Sequence, residues 1–273
     1  MGYKVAACMS MSLPDLISLR DACTTLAREA AREIMRIYAG ELGERTKADK
    51  SPVTDADHAA EAIIVTGLRS LTPGLTVVAE EEMAAGRVPG SVEGTPFWLV
   101  DPLDGTKEFI KRNGEFTVNI ALIENGRARL GIVLAPDSDT LWRGVVGQGA
   151  EKSSKGRAFT PIATRTPPAA GLTAFASRST AIYSDLDIWF RTQGLTVAER
   201  KQAGSSLKFC LIAEGQADIY PRFGPTNEWD TAAGQGVLEA AGGEVVTTDD
   251  KPLRYGKPGF GNPHFIARSK DAR

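Results

Sequence analysis

The stretch WLVDPLDGTKEF, residues 98–109, sets a strand signal against two carboxylates three positions apart. Trp98, Leu99 and Val100 read as a buried strand that delivers Asp101 at its carboxyl end. Pro102 prevents smooth continuation and Gly105 permits a tight turn. Asp101 and Asp104 then face one point, with the Leu103 carbonyl between them. Like charges that close repel strongly unless a cation lies between them. Oxygen donors of this kind suit Mg²⁺, which usually keeps waters and a substrate phosphate in its shell. A helix beginning near Gly105 to Lys107 would offer free backbone N–H groups to a phosphate. Taken alone, the block also reads as an N-cap Asp and a surface Asp in a turn.

Composition narrows the chemistry. The chain has 273 residues, enough for one large domain or two lobes. Its 32 basic and 34 acidic residues nearly balance, so net charge points to no nucleic-acid partner, and no basic stripe or aromatic platform is written into it. The only histidines are His58 and His264, which disfavours a Ser-His-Asp triad or a His-rich zinc site. Cys8, Cys23 and Cys210 are odd in number and far apart, the usage of a reduced, cytosolic protein. No apolar run reaches the roughly 18 residues of a membrane span. Residues 1–16 are too weakly apolar for a signal peptide, and SLPDL reads as the start of structure. Peripheral attachment to a membrane face stays open, although no amphipathic anchor is visible.

Apolar spacing predicts an amphipathic helix from Asp15 to about Ala39 and a second from about Asp57 to Ser70. LTVVA and FWLVD read as strands. TVNIALIENGRARLGIVLAP is a hairpin turning at Asn125-Gly126, TLWRGVVGQGA extends the sheet, and EKSSKGR is an exposed hairpin tip. TRTPPAAG marks a lobe boundary. Beyond it come the strand LTAFAS, a helix near SDLDIWFRTQG, and the strand LTVAER. SSLKFCLIAEG is a helix with Ser205 or Ser206 as N-cap and Gly215 as stop; ADIYPR, DTAAGQGVLEAAGG and EVVT follow as strand, helix and strand. The mixture implies an α/β or α+β sandwich with lobes at residues 13–160 and 161–273.

Further acidic blocks stand at Glu80-Glu81-Glu82 after a strand, at Asp55 and Asp57 ahead of a helix, and at Asp230 opening another. Each has a plain alternative: a solvated loop for Glu82, helix capping for Asp55 and Asp230. Together, Glu80, DPLDGT and WDTAAG resemble the signatures of the inositol monophosphatase-like phosphatases, which are Mg²⁺-dependent and lithium-sensitive. The resemblance runs from about Leu13 to Ala267. It implies a layered αβαβα sandwich of the sugar-phosphatase type, two or three Mg²⁺ ions and Li⁺ as inhibitor. The metal ligands it implies are Glu80, Asp101, the Leu103 carbonyl, Asp104 and Asp230. Asp57 matches the acid that helps hold an additional Mg²⁺ and its water, and Thr106 the hydroxyl that orients the attacking water with Glu80.

Within that family SPVTDAD, DPLDGTKEF, GSSLKFC, YPRFGPTNEWDTAAG and NPHFIA look most like the CysQ-type 3'(2'),5'-bisphosphate nucleotidases. The substrate so implied is a nucleoside bisphosphate, adenosine 3',5'-bisphosphate, a by-product of sulfate assimilation. Its second phosphate needs cations. Lys208 beside Ser205 and Ser206, Arg222, and Arg178 are the candidates, while Gly105 and Thr106 meet the scissile phosphate. An inositol monophosphatase, a sugar bisphosphate phosphatase and a catalytically silent metal-binding module on the same scaffold remain as alternatives. A homodimer is compatible with the resemblance.

Overall fold

Helix α1 (Leu13–Tyr38) realises the first apolar repeat: Leu16, Leu19, Cys23, Ala27, Ala30, Ile34 and Ile37 are all buried. The computed structural model describes residues 13–48, 50–175 and 183–272. After α1 come β1 (Arg45–Thr46), β2 (Pro52–Val53), α2 (Asp55–Leu71), β3 (Thr76–Ala79), α3 (Glu80–Ala84), β4 (Phe97–Asp104) and α4 (Thr106–Ile110). Strands β5 (Thr117–Glu124), β6 (Arg127–Ala135), β7 (Thr140–Val145), β8 (Gly149–Ser154) and β9 (Thr160–Ile162) form a meander. The rest is β10 (Leu172–Phe175), α5 (Tyr183–Thr192), β11 (Val197–Lys201), α6 (Leu207–Ala213), β12 (Ile219–Arg222), α7 (Trp229–Ala240), β13 (Gly243–Thr247) and β14 (Phe265–Ser269).

Strands β3 to β9 lie in sequence order in a seven-stranded sheet, antiparallel except for the parallel β3–β4 pair. The second sheet has the order β11-β10-β12-β14-β13. Three apolar clusters define the layers. One joins α1 and α2 to a face of the large sheet. A second joins its other face to α6, α7 and the small sheet. The third lies between the small sheet and α5. The result is the αβαβα sandwich expected from the resemblance.

Local readings shift in detail. Glu151 to Ser154 belong to β8, and the exposed turn narrows to Lys155-Gly156, both at positive φ. Residue 54, not Asp55, caps α2: Thr54 forms a capping box with Asp57, while Asp55 pairs with Arg45 at 2.7 Å. The change of sheet falls after Ile162 rather than at residue 160, because β9 pairs with β8. Nor does the core divide there: α7 from the second half packs on β5 and β6 of the first. That contact is possible because Gly131 and Gly236 meet backbone to backbone; a Cβ on Gly236 would lie 2.9 Å from the Gly131 nitrogen. Among the described residues no helix is long and apolar enough to cross a membrane.

Candidate active site

Four acidic side chains converge where β3, β4 and α7 end or begin. Parallel pairing sets Ala79 beside Val100, so Glu80 leaves its strand next to Asp101. The β4–β5 register breaks between Asp101 and Asp104, where Pro102 cannot donate to the ladder. Asp101 is 1% exposed and its Oδ1 accepts the Leu103 N–H at 3.1 Å. Asp104 Oδ2 lies 3.4 Å from Asn119 Nδ2. Asp230, second residue of α7, takes the Asn227 N–H on Oδ2 at 2.8 Å. Gly105 follows at φ 99° in left-handed backbone, where a Cβ would stand 3.0 Å from the Glu115 carbonyl oxygen.

The electrostatics record the convergence. Burial, then the charges of Glu80, Asp104 and Asp230, hold the Asp101 carboxyl well above the usual range. Burial also raises Asp104 to about 6, against the pull of Lys208, and raises Asp230 to about 8 with Asp104 adding to the rise. Asp57, 1% exposed, is raised by burial although Thr54 N–H and Oγ1 donate to its Oδ2 at 2.7 and 2.6 Å. The Thr106 hydroxyl donates to Asp57 Oδ1 at 3.1 Å.

This donor set fits a hard divalent cation: it is all oxygen, largely carboxylate, and carries more negative charge than its surroundings compensate. Among the described residues no three His, Cys, Asp or Glu side chains stand close enough together, as they lie, to hold a metal ion. The Lys47 ammonium takes Glu80 and Glu81 instead, at 2.7 and 2.6 Å. Burial lowers the Lys47 value, but the two carboxylates outweigh it and hold Lys47 above its ordinary range.

A cavity of about 560 Å³ opens beside the acids, lined by Asp104, Gly105 and Asp230 together with Ser205, Lys208 and Arg222. Lys208 is 8% exposed; its Nζ donates to the carbonyls of Ala203 at 3.0 Å and Ser205 at 2.8 Å and stands 5.0 Å over the Tyr220 ring. Ser206 sits at the N-cap of α6 but does not cap it. Its φ/ψ is helical, and its hydroxyl donates to the Asp230 carbonyl at 2.9 Å and accepts from Asn119 at 3.0 Å. Ser206 therefore ties α6 to α7 rather than facing a ligand. The Ser205 hydroxyl and Arg222 Nε are buried without a hydrogen-bond partner, a cost that a bound anion would remove. Arg178 lies outside the described residues.

Three residues around the site, Lys47, Glu61 and Glu115, escape the sequence, and the role of a fourth, Glu81, differs from that of its acidic run. Lys47 and Glu61 sit in ordinary charged helix and loop contexts, and nothing local marks them as buried. Glu81 follows Glu80 in the acidic run but faces Lys47. Glu115 accepts the Gly204 N–H at 2.7 Å across 89 positions, a pairing only the tertiary fold reveals.

Comparison with known proteins bears on the same residues. The sequence profile described as the inositol monophosphatase family matches residues 15–271. The 3'(2'),5'-bisphosphate nucleotidase CysQ of Escherichia coli strain K12 is 46% identical over 248 residues, 90% of this chain and 97% of that protein. The corresponding nucleotidase of Buchnera aphidicola is 41% identical, with 86% of each chain covered. The crystal structure of CysQ from Bacteroides thetaiotaomicron superposes with a TM-score of 0.77 at 38% identity, over 93% of this chain and 97% of that one. An inositol monophosphatase structure from Anabaena gives 0.73 at 25% identity, over 94% and 92%. A match of that extent, on a fold whose strand ends gather Glu80, Asp101, Asp104 and Asp230, shows that the chain belongs to the inositol monophosphatase family, whose members are metal-dependent phosphatases.

Proposed function

We propose that this chain is a Mg²⁺-dependent phosphomonoester hydrolase that converts adenosine 3',5'-bisphosphate and water to AMP and phosphate. The observation that carries the reading is the gathering of Glu80, Asp101, Asp104 and Asp230, two of which, Asp104 and Asp230, line a cavity that also holds Lys208 and Arg222. Its size suits a nucleotide. The nucleotidase relatives supply the substrate class.

Glu80, Asp101, the Leu103 carbonyl, Asp104 and Asp230 would hold two or three Mg²⁺ ions, with Asp57 contributing to one. When bound, the ions neutralise phosphate charge and make water a better nucleophile. The chain's own part is positional. Thr54 engages both donors on Asp57 Oδ2, leaving Oδ1 to the Thr106 hydroxyl. With its proton spent on Asp57, Thr106 Oγ1 presents lone pairs, so it accepts an O–H from the attacking water and turns that water's lone pair toward phosphorus. As the water oxygen bonds to phosphorus the ester P–O bond breaks; the water's proton passes to Thr106 Oγ1 while the threonine's own proton moves to Asp57 Oδ1, and the departing ribose oxygen takes a proton from bulk water. Gly105, lacking a Cβ, lets backbone approach the scissile phosphate. Lys208, Arg222 and the Ser205 hydroxyl take the second phosphate by charge-assisted bonds.

The deciding assay measures phosphate release from adenosine 3',5'-bisphosphate, inositol 1-phosphate and fructose 1,6-bisphosphate, with Mg²⁺, with chelator and with Li⁺. We expect preference for the first substrate, loss of activity in chelator and inhibition by Li⁺. Preference for inositol 1-phosphate would overturn the substrate, and full activity in chelator the mechanism.

A further inference from the structure

Glu61 brings a carboxylate into the interior without a part in the chemistry above. It lies on α2 one turn after Asp57, is 5% exposed, and its Oε2 accepts the Glu81 backbone N–H at 2.7 Å. Burying a carboxylate costs several kcal/mol before its bonds repay it. An apolar side chain would serve the α2 packing face better, so packing alone does not account for the acid.

Its partner does. Glu81 is the second residue of α3, and the cap position before that helix is Ala79, which has no side-chain acceptor. The first amides of a helix need partners from outside the backbone ladder. Glu61 supplies one in trans, from α2. Lys47 closes the arrangement by gripping the carboxylates of both Glu80 and Glu81. Glu80 is the first residue of the same short helix, so the seating of that turn decides where its carboxylate points. Helix α2 thereby sets two acids of the site: Asp57 directly, and Glu80 through the Glu81 amide.

We propose that Glu61 is a positioning residue for Glu80, holding the first turn of α3 so that the Glu80 carboxylate meets Asp101 and Asp104 around a divalent cation. This rests on the metal-dependent reading above. Partners that orient metal ligands typically change metal affinity or activity by about 10- to 100-fold when removed.

The test uses the full chain and reads Mn²⁺ binding by titration calorimetry beside the Mg²⁺ dependence of phosphate release from adenosine 3',5'-bisphosphate. Glu61→Met removes the acceptor at similar volume. It should weaken Mn²⁺ binding about 10- to 100-fold and raise the Mg²⁺ requirement equally, while kcat at saturating Mg²⁺ stays within about threefold. Glu61→Gln, whose amide oxygen still accepts from Glu81, should recover most of the affinity. Ile64→Val, a buried change on the same helix, should lower stability and leave Mn²⁺ binding alone. Should Glu61→Met not fold, Glu61→Asp decides, because its carboxylate is one methylene short of the Glu81 amide. Wild-type affinity in Glu61→Met or Glu61→Asp overturns the proposal, whatever their melting temperatures. If the wild type itself binds no Mn²⁺, or binds it unchanged in Glu80→Gln, the metal-dependent reading is what fails.

Discussion

Thr106 Oγ1 lies 3.1 Å from Asp57 Oδ1, a contact between residues 49 apart in sequence that joins the start of α4 to the first turn of α2. The bond consumes the hydroxyl proton and fixes the rotamer. Thr106→Val keeps the shape and deletes the donor and acceptor. We expect kcat to fall by about a hundredfold or more with little change in KM, and Thr106→Ser to restore most of it. Steady-state kinetics on the bisphosphate check this; an unimpaired Thr106→Val removes the residue from catalysis.

The crowded carboxylates make stability depend on pH. Folded values of about 6 for Asp104 and about 8 for Asp230 exceed their ordinary 3.8, so the folded state binds these protons more tightly than the unfolded state. Their stabilising contribution is complete below about pH 4 and is lost as pH rises through 6 and 8. In chelator, Tm should therefore fall between about pH 5 and pH 8.5, and Asp230→Asn should flatten that fall. Mg²⁺ should raise Tm most at the alkaline end, where the acids are ionised. Thermal melts across pH decide; a slope unchanged in Asp230→Asn would refute the account.

Beside the phosphate role proposed for it, the Lys208 ammonium braces the Ala203 and Ser205 carbonyls. Lys208→Met should raise KM for adenosine 3',5'-bisphosphate by about tenfold or more, the scale of a charge-assisted bond, with a smaller effect on a monophosphate. Equal losses on both substrates would leave Lys208 only its bracing role. Burial holds the Lys208 ammonium down to about 8.

The glycine contact between α7 and β6 offers a mechanical test. A Cβ on Gly131 would overlap the Ala233 carbonyl oxygen, which is backbone and cannot swing aside. Gly131→Ala should cost about 3 kcal/mol of stability, measurable by urea denaturation, and should lower activity by displacing Asp230. Activity at wild-type level in a folded Gly131→Ala would show that α7 has latitude there.

Much of this was legible because certain residues leave local marks. The apolar spacing of α1, the Asn125-Gly126 turn and the proline within β4 each announce their conformation in a few neighbouring letters. So do Asp101 and Asp104, since a strand running into Pro and Gly has few other geometries. Residues whose role depends on a distant partner left none. Lys47 looks like any lysine in a polar loop, and Glu61 like an outward helix acid, until α3 is seated against α2. Ser206 misled in the other direction: its position before a helix suggests a cap, whereas the nearness of Asp230 and Asn119 claims its hydroxyl. Position in the chain also hid the shared core, because α7 belongs to one sheet by connectivity and packs on the other.

The glycine-lined seat of α7 bears on how the enzyme chooses its substrate. Asp230 is cantilevered from the meander sheet by direct main-chain contact, although it arrives from the other half of the chain. Helix α7 also packs on β13 and α6, so Asp230 is clamped between the two sheets. On the proposed function, choice among esters would then fall to Lys208, Arg222 and the Ser205 hydroxyl in the cavity, with the clamped acids common to every substrate.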